Sequence, residues 1–143
     1  MFEKILIATD GSEHSKRAAR KGVEMAKLSG GSVTALYVVD TNRSISDVSA
    51  NIADEVAKGF SKAMMKEGEE ATKYAEEAAR MAGVAAEKKV VEGNPAEEVL
   101  KMAGGMDLVV MGSVGRTGVS KFLLGSVTDK VIRNSKVPVM VVY

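Results

Sequence analysis

The 143 residues carry 20 Lys plus Arg against 19 Asp plus Glu, with one His, no Cys and no Trp. That length suits one domain, residues 1–143, with a core of its own, and leaves no room for two ordinary ones. A net charge of +1 without a basic tract or aromatic ladder argues against nucleic acid as a partner. Lack of cysteine excludes disulfides and suits a reducing cytoplasm, and no apolar run approaches a membrane span or a signal peptide.

The chain opens on a short apolar strand, Ile5-Leu6-Ile7-Ala8, ended by Thr9-Asp10-Gly11-Ser12. Ser12 or Ser15 is placed to cap a helix running to about Leu28, with Ala19, Val23 and Ala26 on one face, and Gly30-Gly31 closes it. A second strand, Val33 to Val39, ends in Asp40. Asp10 and Asp40 thus both stand at strand C-termini, the edge where open α/β sheets place ligands.

Residues 41–60 show weak periodicity and read as a loop, or lid, leading into a helix that is clear from about Ser61. There Met64, Gly68, Ala71, Ala75 and Ala78 recur at intervals of three or four until Gly83. The single His, His14, reads as a partly exposed surface group. Ala86–Val91 is a third strand of mixed polarity, suited to a sheet edge. Asn94-Pro95-Ala96-Glu97 is a strong helix start, and Gly104-Gly105 ends that helix. Lys136–Val142 forms a last strand, with Pro138 favouring an edge or a strand start.

Strands alternating with helices predict an open five-stranded sheet with helices on both faces: four parallel core strands plus a C-terminal edge strand. An apolar strand at such an edge invites pairing with a second copy through residues 137–142.

Between the last two strands lies the stretch richest in chemistry, Asp107–Val127. A buried-strand run, Leu108-Val109-Val110-Met111, ends at Gly112. Gly115 and Gly118 follow, Gly125 stands before a new helical pattern, and Ser126-Val127-Thr128-Asp129 opens that helix with the spacing of a cap and a carboxylate. Strand, glycine turn and helix N-terminus together offer backbone N–H groups to an anion, and glycine lets a phosphate approach. The plainer reading is a loop whose glycines only supply turns. The spacing is neither GxGxxG nor GxxxxGK[ST], and the loop follows the fourth strand, unlike the first-strand phosphate loop of flavodoxin-like folds.

Gly112, Gly115, Gly125 and Ser126 form the pattern G-x2-G-x9-G-[S/T]. With VVMGSVGRTG and LLGSVTDKVI around it, Ala8-Thr9-Asp10 and Tyr37-Val38-Val39-Asp40 before it and Pro138–Val142 after it, the chain resembles the universal stress proteins over its full length. The likeness is to the small, single-domain, ATP-binding kind. The resemblance implies an adenine-nucleotide α-hydrolase-like fold and a cytoplasmic homodimer joined through the last strand. It also implies ATP as ligand, with Mg²⁺ or Mn²⁺ held through Asp10. Ala8, Thr9 and Val38 would line the adenosine pocket, and Met111 and Gly112 would lie beside the ribose and phosphates. Gly115, Arg116, Gly125, Ser126 and Val127 would wrap the phosphate chain. Position 114, often His in close relatives, is Val114 here, which removes an imidazole from the loop.

Phosphate binding is not hydrolysis, which also needs a positioned nucleophile and compensation of moving charge. No general base and no lysine beside the glycines is recognisable, so no catalytic residue is assigned. The resulting expectation is a dimeric, ATP-dependent stress-response regulator with at most slow hydrolysis or autophosphorylation. The alternatives are an ATPase or phosphotransferase completed by a protein partner, and an adaptor dimer that binds no nucleotide.

Overall fold

A computed structural model describes residues 1–41, 50–115 and 123–143, with the backbone alone for residues 50–54, 56 and 57. Nine elements follow one another among these residues: β1 (Lys4–Ala8), α1 (Glu13–Ser29), β2 (Ser32–Asp40), α2 (Ala50–Met81), β3 (Ala85–Gly93), α3 (Pro95–Ala103), β4 (Leu108–Gly112), α4 (Ser126–Asn134) and β5 (Val139–Val142). The strands lie in the order β3-β2-β1-β4-β5, and every neighbouring pair is parallel. The expected open sheet is found, with β3 at one edge and β5 at the other.

Side-chain alternation explains why the central strands are apolar throughout. Ile5 and Ile7 of β1 and Leu108 and Val110 of β4 pack with Ala18, Ala19, Val23 and Ala26 of α1 and Ala75 and Ala79 of α2. Leu6, Val109 and Met111 turn to the other face, where Ala96, Val99 and Ala103 of α3 and Val131 of α4 cover them. A strand covered on both faces has no polar side to show, so its sequence reads as a continuous apolar run.

Local signals end the helices where the sequence places them. The Ser12 Oγ accepts from the Ser15 N–H at 3.2 Å, and Gly30, with φ of 70°, closes α1 in a left-handed turn. Asn94 Oδ1 accepts from the Glu97 N–H at 3.1 Å, with Pro95 as the first helical residue of α3. Gly83, with φ of 74°, lies just beyond α2.

Three expectations are corrected. Helix α2 starts at Ala50, not near Ser61. Its 32 residues span roughly 48 Å, against roughly 30 Å for the nine residues of β2, so one end must overhang the sheet. The described side chains of its first turns, Glu55, Lys58 and Phe60, are exposed, as is Gly59, and exposed positions carry no periodic signal. Residues 42–49 of the expected loop lie outside the described residues. Second, Ser126 is not the cap of α4. Gly125 is, with no side-chain bond, and Ser126 is the first helical residue. Third, β5 is shorter than 136–142, because Pro138 precedes it and contributes only its carbonyl, which accepts from the Val109 N–H at 3.0 Å. No described helix is long and apolar enough to cross a membrane.

Two helical glycines have opposite surroundings. A Cβ at Gly22 would lie 2.7 Å from Ile7 Cγ1, whereas at Gly59 nothing lies within 4 Å. In urea unfolding, Gly22→Val is expected to lose about 1–3 kcal/mol through overpacking. Gly59→Ala is expected to gain up to about 1 kcal/mol through helix propensity.

Candidate functional site

Strand order reverses between β1 and β4. The connection leaving β1 passes to α1 on one face, while the chain leaving β4 reaches α4 on the other. Diverging connections leave a crevice at the strand C-termini, and a cleft of about 250 Å³ occupies it.

The cleft has two chemically distinct ends. Around β4 it is walled by Gly112, Val114, Gly115, Gly125, Ser126, Val127 and Thr128: small residues, backbone and the first turn of α4. Around β2 it is walled by Leu36, Tyr37 and Val38, with Met64 of α2 and Pro95 and Val99 of α3. One intervening strand, β1, separates these ends by roughly 10 Å, and its Ala8, Thr9 and Asp10 form the middle.

Asp10 is held by the start of α1. Its Oδ1 accepts from the Ser12 N–H at 2.9 Å, and Thr9 Oγ1 donates to Ser15 Oγ at 3.0 Å. Asp10 Oδ2 lies where Gly115 has no side chain, since a Cβ there would stand 2.5 Å from it. Gly115 therefore lets the β4 loop meet the carboxylate.

The loop itself is tied down by buried bonds. Thr128 Oγ1 donates to the Gly112 carbonyl at 2.8 Å, and the Gly125 N–H donates to the Ser113 carbonyl at 2.8 Å. A Cβ on Gly125 would face the Val114 Cα and Gly115 N at 3.4 and 3.5 Å, so Gly125 lies against the opposing backbone. Gly112 has a different role: a Cβ there would lie 3.0 to 3.2 Å from His14 and the Ser15 nitrogen, which makes it a seat for α1. His14 is half-buried, with Nδ1 3.2 Å from an Arg17 guanidinium nitrogen.

Of the residues singled out in the sequence, Ala8, Thr9, Asp10, Val38, Met111, Gly112, Gly115, Gly125, Ser126 and Val127 all line this cleft. Arg116 lies outside the described residues. Asp40 also lines it, at the end of β2. Missed by sequence reasoning were Met64, Pro95, Val99 and Thr128 as wall residues. They read as core or cap positions, and only the crossovers of α2, α3 and α4 bring them to the crevice. No group of three or more potential metal-ligating side chains occurs among the described residues.

Fold and site define an open parallel α/β domain with a ligand cleft at its switch point. All 143 residues match the Universal stress protein family, and the chain belongs to that family. It is similar to universal stress protein MJ0531 of Methanocaldococcus jannaschii, 38% identical over 144 residues covering 99% of this chain and 82% of that one. The solved structure of hypothetical protein MJ0577 superposes with a TM-score of 0.83 at 30% identity, covering 99% of this chain and 96% of that one. A universal stress protein solved in complex with cAMP superposes with a TM-score of 0.69 at 26% identity, covering 99% and 97%.

The Thr128 bond supports the loop without belonging to the cleft's chemistry alone. Thr128→Val keeps the shape and leaves the Gly112 carbonyl without that donor in a buried place. A loss of about 1–3 kcal/mol in thermal or urea unfolding is expected.

Proposed function

We propose that the chain binds an adenine nucleotide, ATP with Mg²⁺, across the cleft, and works as a dimeric stress-response regulator with at most slow hydrolysis. The observation that carries this reading is the polarity of the cleft: an apolar slot at β2 and a glycine-lined backbone cradle at β4, roughly one nucleoside apart.

The phosphate end has the features an anion requires. Gly115 and Gly125 keep side chains out of the cradle, and the first turn of α4 brings N–H groups and the positive end of its dipole. Asp10, whose second oxygen faces the loop, is the natural hard ligand for Mg²⁺. That ion takes one or two carboxylates with phosphate oxygens and water, and it would offset the phosphate charge.

The base end has an edge suited to adenine. The last bond from the β1 segment to β2 is the Thr9 N–H donating to the Leu36 carbonyl at 2.9 Å. Parallel pairing turns alternate residues the same way, so Val38 directs its N–H and C=O to the β1 side, beyond the end of β1. A donor and an acceptor so placed match the ring nitrogen and exocyclic amine of adenine. The relative in complex with cAMP, also an adenine nucleotide, supports the same ligand class.

Slow turnover is the reading that the described lining supports. Its described titratable lining groups are Asp10, Asp40 and Tyr37, with no lysine or histidine to compensate charge or position water. Dimerisation is supported by β5, a partly exposed apolar edge strand whose outer side pairs with no described strand.

Titration calorimetry with Mg–ATP tests the proposal. Binding at millimolar nucleotide or better is expected, and its absence would overturn the reading in favour of the adaptor alternative. Gly125→Val is expected to weaken binding at least tenfold, because a branched side chain wedges the cradle away from Val114 and Gly115; retained affinity would show that the phosphates lie elsewhere. Asp10→Asn should reduce the Mg²⁺ dependence of binding more than binding without the metal.

A further inference from the structure

Helix α2 reaches the cleft, among the described residues, through one side chain, Met64. It is only 7% exposed and packs with Tyr37 and Val39 on one face of the sheet, whereas Val99 of α3, also buried and also lining the cleft, packs with Leu36 and Val38 on the other. What holds Met64 there is Tyr37. Its ring is 2% exposed, and α2 sits directly on it: a Cβ at Gly68 would stand 2.8 Å from the ring and 2.9 Å from Val90 Cγ1. The Tyr37 hydroxyl points up at α2, 3.4 Å from Glu67 Oε2 and 3.8 Å from Met64 Sδ. Thr72, one turn further on, is fully buried, its Oγ1 donating to the Gly68 carbonyl of the same helix at 2.8 Å.

We infer that Met64 is a specificity-determining residue that covers one face of the bound base, and that the Tyr37–Glu67 pair is its positioning device. The inference rests on the reading of the cleft as an adenine-nucleotide site. Its physical basis is the fit of a polarisable thioether to an aromatic ring, together with the burial of Met64 beside Tyr37. A planar base lying between Met64 and Val99 would meet apolar surface on both faces while the Val38 backbone reads its edge. Glu67 is not among the described residues that line the cleft, and its contact with Tyr37 links it to Met64.

The test uses the full chain labelled at its methionine methyl groups, titrated with Mg–ATP by NMR and by calorimetry. The Met64 methyl resonance, assigned through Met64→Leu, is expected to move upfield under the base ring current. Met64→Ala should weaken Mg–ATP binding about three- to tenfold, and Met64→Leu by less. Glu67→Ala should move the Met64 methyl resonance in the nucleotide-bound protein and lower affinity, while Glu67→Gln, which keeps an acceptor for the tyrosine, should restore both. A Met64 methyl that stays put while ATP binds, or a folded Met64→Ala that binds ATP as the native chain does, overturns the inference and leaves the site reading intact. A native chain that binds no Mg–ATP overturns both.

Discussion

Asp107 Oδ2 accepts from the Lys4 N–H at 2.9 Å across 103 residues of sequence, and from there β1 and β4 run side by side, Leu6 beside Val109 and Ala8 beside Met111. Break this pairing and the two halves of the sheet have no common core. It also creates the cleft, because the chain leaves the two strands in opposite directions. Closing so long a loop carries an entropic cost, and it is met by strands that are buried on both faces. The same apolar pairing thus supports stability and, at its C-terminal end, the place where a ligand can sit.

The segment after β4 shares its hydrogen bonds between architecture and cleft. Ser113 donates its N–H to the Val142 carbonyl at the sheet edge and accepts from the Gly125 N–H in the cradle. One peptide group on either side of Ser113 therefore belongs to β5 and to the loop at once. Charged surface groups contribute far less. Lys88 of β3 lies 3.9 Å from Glu69 and 3.8 Å from Glu76 of α2, and exposed pairs of this kind are worth about 0–1 kcal/mol each. Their better-defined role is to place charge along an edge strand that would otherwise pair with strangers.

Glycine in this chain is not one signal. Gly112 makes room for α1, Gly115 for the Asp10 carboxylate, and Gly125 for the backbone that faces it. Read along the sequence, all three look like contributions to one loop. In the folded chain all three line the cleft, and Gly112 is in addition a packing contact with His14 and Ser15 of α1. Turn-supplying and ligand-admitting glycines differ in what lies across from them, and that partner is remote in sequence.

What the sequence determined by itself was everything that depends on neighbours along the chain. Apolar runs mark the strands, Ser12 and Asn94 cap helices, Gly30 and Gly83 stop them, and Asp10 and Val38 stand at strand ends. These are local preferences of backbone and side chain, legible within a few residues. The tertiary structure alone decided that α2 begins at Ala50, that Gly125 and not Ser126 caps α4, and that Met64, Val99 and Thr128 all line the crevice. The described residues of the first turns of α2, Glu55, Lys58, Gly59 and Phe60, are exposed and impose no period. A wall residue is indistinguishable from a core residue until the crossovers set which helix lies over which strand.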